Sequence, residues 1–156
     1  MKRILHLVSL VLFLAVGASA QNTSSHPANC NTDASGLAIE GYDPVAYFST
    51  GNAVEGSKEY MYTVDGATYR FVSARNRDLF KAAPAKYRPQ YGGWCAYAMG
   101  AKGEKVEVDP KTFKVLDGKL YLFYNKYFNN TLKSWNKDEA NLKVKADANW
   151  TKQNTK

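Results

Sequence analysis

The chain has 156 residues, 45% of them hydrophobic and 22% charged, with a formal net charge of +7. That length supports one domain. Only two histidines and two cysteines are present, and the sole histidine beyond the N-terminal segment, His26, lies in a polar leader. A Ser-His-Asp or Cys-His relay in the folded body is therefore excluded, as is a zinc site built from cysteines and histidines.

The N-terminus reads as an export signal. Lys2 and Arg3 precede an apolar run from Ile4 to Val16, and Gly17-Ala18-Ser19-Ala20 supplies the small-residue cleavage pattern. Cleavage near Ala20 removes residues 1–20 and lowers the net charge to +5. The run is short for a membrane span and no stop-transfer pattern follows, so no stable membrane insertion is expected. A periplasmic or secreted location follows. Residues 21–35 are polar, small and without periodicity, and read as a flexible leader. In an oxidising compartment its Cys30 is a possible disulfide partner for Cys95. The remaining basic residues alternate with carboxylates such as Glu104, Glu107, Asp138, Glu139 and Asp147. This is a solvated basic face, and no nucleic-acid partner is expected.

The folded domain is expected over residues 36–151. Asp43-Pro44 pairs a helix cap with a proline at the first helical position, giving a short helix from Pro44 to about Phe48. Residues 59–64 and 68–72 are aromatic and β-branched and flank Asp65-Gly66, a hairpin signal. Ser73 caps the next helix, which Pro84 stops. After the Gly-Gly-Trp-Cys stretch comes a loop at residues 100–103, and then an alternating segment, Glu104 to Val108, that reads as a strand. Asp109-Pro110 reads as a turn. Phe113–Leu116 and Leu120–Tyr124 flank a second hairpin signal at Asp117-Gly118. From Lys126 onward, Phe128, Leu132, Trp135, Leu142 and Ala146 recur at helical spacing, as two helices joined at Asn136 and Lys137. Trp150 is expected to pack back onto the sheet. The predicted fold is α+β: two antiparallel β-hairpins forming a small sheet, packed by short helices and a C-terminal helical segment.

The chemistry centres on Tyr91-Gly92-Gly93-Trp94-Cys95-Ala96-Tyr97-Ala98-Met99. A thiol in the first turn of a helix meets backbone N–H groups and the positive end of the helix dipole, while burial among aromatics opposes its ionisation. Met99 follows at helical spacing, so Cys95 and Met99 form a candidate pair of soft metal ligands suited to copper. Tyr42, Asp43, Tyr91 and Trp94 are candidate lining residues for a cofactor or small ligand. Asp43 also reads as a plain helix cap, Met99 as core, and Cys95 as a small buried hydrophobe. There is no Gly-rich phosphate loop and no Cys-x-x-Cys.

The segments Gly41–Phe48, Tyr69–Ser73 with Phe80, Pro84 and Tyr87, Tyr91–Ala96, and Asp117–Leu122 together resemble the exported bacterial YHS domain family, across roughly residues 36–150. Some members are described as selenoproteins, with selenocysteine at the position of Cys95. The resemblance thus implies a redox or soft-metal role there. The broader YHS family handles heavy metals through several cysteines. Here Val72 and Asn76 stand where metal-binding members carry two of them, and the Gly-Tyr-Asp-Pro segment takes the place of an upstream Cys-x-x-Cys. The multi-cysteine site does not transfer.

Three functions remain open. The first is an exported module binding a soft metal ion or small ligand around Cys95. The second is a thiol redox protein using Cys95, with Cys30 as a resolving partner. The third is an inert structural or interaction domain.

Overall fold

The computed structural model describes residues 29–155. The segment expected to be an export signal, His26 and most of the segment expected to be a flexible leader lie outside the described residues. Six strands and six α-helices follow in the order α1 (Ala46–Ser49), β1 (Ser57–Val64), β2 (Ala67–Phe71), α2 (Ala74–Ala82), α3 (Pro84–Tyr87), α4 (Ala96–Lys102), β3 (Asp109–Leu116), β4 (Lys119–Phe123), β5 (Asn125–Lys126), β6 (Asn129–Asn130), α5 (Thr131–Trp135) and α6 (Glu139–Asn154). The fold is α+β. Each hairpin is its own two-stranded antiparallel ladder. Single bridges, such as Leu37 to Thr68 and Pro89 to Leu120, join the hairpins to neighbouring segments.

The hairpins share one turn chemistry. Val64 pairs with Ala67 and Leu116 with Lys119, so Asp65-Gly66 and Asp117-Gly118 are two-residue loops. All four loop residues have positive φ. This is the type I′ form, whose twist matches the strands and which favours Asp-Gly. Both loops were legible from sequence for that reason.

The third hairpin was not. Lys126 pairs with Asn129, leaving Tyr127-Phe128 as the loop at φ 52° and 62°. Phe128 was expected on a helix face; instead it is fully exposed, and Tyr127 is 90% exposed. Bulky side chains rarely adopt this backbone, and no glycine marks the turn. The base is well anchored: Asn125 donates to Thr112 Oγ1 at 3.0 Å, and Asn130 caps α5 by accepting from the Leu132 N–H at 3.1 Å. Replacing Tyr127-Phe128 by Asn-Gly should therefore stabilise the protein by about 1–2 kcal/mol. Urea denaturation checks this, and unchanged or lower stability would show that the turn carries no strain.

Two other expectations shift. Glu104 to Val108, expected as a strand, lies outside any strand, and Asp109-Pro110 opens β3 instead of forming a turn. The register slips between Asp109 and Phe113, and that irregularity is where a strand tolerates proline.

β4 divides the interior. Successive strand residues face opposite sides, so Leu120 and Leu122 enter one cluster with Tyr47, Tyr69, Phe71 and Phe80. Tyr121 and Phe123 enter a second cluster with Met99, Trp135, Leu142 and Ala146. Both faces are buried, which explains the unbroken apolar run Leu-Tyr-Leu-Phe. α5 and α6 are separate helices meeting at residues 136–138. Leu142, Ala146 and Trp150 share one face of α6. Trp150 packs edge-on against Tyr91, with ring centroids 6.3 Å apart. α4 lies close on α6 at Gly100, where a Cβ would stand 2.5 Å from the Leu142 carbonyl oxygen.

Candidate functional site

The Gly-Gly pair is explained by what crosses it. Tyr91 and Gly92 both have left-handed backbone (φ 54° and 61°). A Cβ on Gly92 would meet the Asn29 carbonyl oxygen at 2.1 Å. The end of the leader lies on this turn. Asn31 N–H donates to the Gly92 carbonyl at 2.8 Å, Trp94 Nε1 donates to the Asn29 carbonyl at 3.2 Å, and Lys105 Nζ donates to Asn29 Oδ1 at 2.8 Å. Residues 29–31 are therefore tied to the domain body, although a flexible leader was expected there.

Cys95 follows directly, as the N-cap of α4 (φ −57°, ψ 116°), and its side chain does not cap the helix. Its N–H instead donates to the Val106 carbonyl at 2.9 Å. The sulfur points toward the far end of β4. There it accepts from the Tyr124 N–H at 3.4 Å and lies 3.4 Å from Thr131 Oγ1. The Thr131 hydroxyl donates to the Tyr124 carbonyl at 2.9 Å. The thiol S–H is left to donate to Thr131, so every group in this ring has a partner.

Cys95 has no exposed surface, yet it is a floor residue of an open groove of about 380 Å³. Tyr97, Ala98 and Ala101 of α4 line it together with Val106 and Tyr124. Lys102, Glu104, Asn129 and Thr131 supply its polar groups. The groove was missed from sequence because Tyr124, Asn129 and Thr131 come from the unforeseen third hairpin and its flanks.

The remaining predicted site residues lie elsewhere. Met99 is buried in the second cluster, where its sulfur accepts from Gln153 Nε2 at 3.6 Å. It does not line the groove. The pairing of Cys95 with Met99 required both on one helix face, and the extended ψ of the N-cap residue breaks that alignment. Tyr42 is buried and donates to Glu55 at 3.1 Å. Tyr91 is buried and donates to Asp147 at 2.8 Å. Burial, reinforced by that carboxylate, pushes the Tyr91 phenol well above its ordinary range. Trp94 is half-buried against the leader.

Asp43 is fully buried. One oxygen accepts from the Val45 and Ala46 N–H groups at 2.7 and 3.3 Å. The other accepts from the Val72 N–H at 2.9 Å and Asn76 Nδ2 at 2.7 Å. This carboxylate is a cap and a junction, with its oxygens committed to the protein. Both cysteines are free thiols and line different cavities, so the structure contains no Cys30–Cys95 bridge. Among the described residues there is no group of three or more His, Cys, Asp or Glu side chains placed to hold a metal ion. No helix there is long and apolar enough to cross a membrane. Comparison with protein-family models, with curated proteins and with solved structures gives no significant match.

Proposed function

We propose that the chain is an exported YHS-type binding module that holds a small, partly apolar ligand in the groove above Cys95. The observation carrying this reading is a buried sulfur, hydrogen-bonded to Tyr124 and Thr131, at the base of a groove of about 380 Å³. Ligand sites typically span roughly 300–1,000 Å³ and combine apolar walls with a few convergent polar groups. The YHS assignment draws support from a convergence in space. Val72, Asn76 and the Gly-Tyr-Asp-Pro segment, where metal-binding members would carry cysteines, all meet at Asp43. Hydrogen bonds to one carboxylate occupy that place here.

The geometry favours a small molecule over copper. Cys95 is the one soft donor in the groove, and the oxygens of Thr131, Asn129 and Glu104 suit harder ions. A thiol redox role is the second reading. It rests on the Tyr124 N–H donating to the sulfur, and it requires the sulfur, which has no exposed surface, to become accessible before any reagent reaches it.

Phenol and indole serve as probes of the groove. A probe at ten times its Kd should stabilise the mature protein by about 1.4 kcal/mol, a rise in melting temperature of roughly 4 °C. Ala101→Trp, which fills the groove from an exposed position, should abolish the rise and leave the ligand-free melting temperature nearly unchanged. If neither probe nor Cu(I) shifts the wild-type protein, the reading fails and Cys95 is packing. If Cu(I) alone does so and Cys95→Ser removes the effect, the metal reading replaces it.

A further inference from the structure

A second cavity, separate from the Cys95 groove, has a volume of about 330 Å³. It lies between the first hairpin turn, the Gly-Gly turn, the end of α6 and the anchored leader. Val64, Ala67 and Pro89 line it together with the rings of Tyr91 and Trp150.

Its polar lining sets the donors of Tyr69, Cys30 and Arg88 beside the side chains of Asn29, Asp65 and Gln90. Tyr69 is 1% exposed. Its hydroxyl has one contact among the described residues, the Cys30 sulfur at 3.9 Å, in which either group can donate. Cys30 is a free, half-buried thiol, and burial pushes it up so that it keeps its proton. Arg88 gives one guanidinium nitrogen to Asp65 at 2.8 Å, while its Nε is buried with no partner among the described residues. Lys105 Nζ lies 6.0 Å from the centre of the Trp150 ring and adds positive potential at the leader end. Of the nearby carboxylates, Asp65 is the one that faces Arg88, and Asp147 is engaged by Tyr91 and Lys143.

The phenol and the thiol have only each other as partners among the described residues, and the buried guanidinium Nε–H beside them has no acceptor there. Burying donors without one is costly, and a carboxylate is the group that arginine recognises best. We propose that this cavity is a binding site for a small organic carboxylate, held by Arg88 and Tyr69, with its apolar body against Tyr91 and Trp150 and its acid group beside the Cys30 thiol. The site is independent of the Cys95 groove and stands whether or not that groove binds a ligand.

Cys30 itself reports on the site. Iodoacetate and iodoacetamide alkylate a thiol by the same displacement: the S–C bond forms, the C–I bond breaks, iodide leaves and the thiol proton goes to solvent. They differ in the carboxylate. With the full mature chain, the ratio of the iodoacetate rate to the iodoacetamide rate at Cys30 should exceed that in the urea-unfolded protein by about fivefold or more. Benzoate, as a competing carboxylate, should slow both reagents, and benzamide should not. Arg88→Gln should return the ratio to the unfolded value. Asp65→Asn, which keeps a residue well suited to the type I′ turn, should raise the ratio further by freeing Arg88, so the inference stays testable should the Arg88 variant not fold. A folded-state ratio equal to the unfolded one, an enhancement that survives Arg88→Gln, or a fall in Asp65→Asn would overturn the assignment. Because the readout is confined to Cys30, failure here leaves the melting test of the Cys95 groove unaffected.

Discussion

Asp43→Ala should lower the unfolding free energy by about 3–5 kcal/mol, a large part of the stability of a domain this size. The carboxylate accepts four hydrogen bonds in a fully buried position. Three of the donors are backbone N–H groups that cannot turn away, and they come from two places: the entry to α1 and the residue just after β2. The fourth is Asn76 in the first turn of α2. Deleting the acceptor leaves buried donors without partners, which costs far more than the net value of the bonds. Asp43→Asn keeps one carbonyl oxygen and should lose about half as much. Urea denaturation of the three proteins decides the matter. A loss below about 1 kcal/mol for alanine would mean that water takes the carboxylate's place. A gain would mark Asp43 as a carboxylate held at a stability cost for function.

Alkaline conditions should unfold the protein steeply. Tyr47, Tyr69 and Tyr91 are almost wholly buried. Burial comes first among the causes that push their phenols well above the ordinary value, followed by neighbouring acidic groups. A phenol is neutral while protonated, so the raised folded pKa means that the folded state holds its proton more tightly than the unfolded state. The contribution is therefore fully present below the unfolded value near pH 10 and is lost as pH rises above it. Three such groups give a slope of about 4 kcal/mol per pH unit. Against a typical stability of roughly 5–15 kcal/mol, unfolding should follow within a few pH units of 10. Tyrosinate absorbance should appear cooperatively, together with loss of circular dichroism. Tyr47→Phe deletes the hydroxyl that donates to the Pro110 carbonyl at 2.9 Å and keeps the ring, so the slope should fall by about a third. Gradual ionisation without unfolding would show that these phenols are accessible.

What could be read along the chain and what could not divides by the range of the interaction. Ser73 caps α2 by accepting from the Asn76 N–H at 3.2 Å, a contact between residues three apart, and the Asp-Gly loops depend on two residues each. The third hairpin has no such local signature. Its Tyr-Phe loop shares the positive φ of the Asp-Gly loops while Asn125 is fastened to β3, Asn130 to α5 and Thr131 to the Tyr124 carbonyl just after β4. The apolar spacing around it therefore suggested a helix.

The candidate sites divide in the same way. That Cys95 stands at a tight Gly-Gly turn before a short helix was evident from consecutive residues. What the sulfur touches was not, since Tyr124 and Thr131 lie 29 and 36 positions away. The spacing that linked Met99 to Cys95 assumed a helical N-cap residue, and the Val106 carbonyl holds that residue extended instead. The cavity beside Cys30 gathers side chains from the leader, the first hairpin, the Gly-Gly turn and α6, which no window of sequence contains. The amino-acid sequence by itself determined the α+β class, the two Asp-Gly hairpins, the separate C-terminal helices and the glycine turn, because each follows from backbone preferences within a few residues. Only the tertiary structure decided which polar groups are committed to the fold and which line open cavities, because burial and hydrogen-bond satisfaction are settled between segments far apart in the chain.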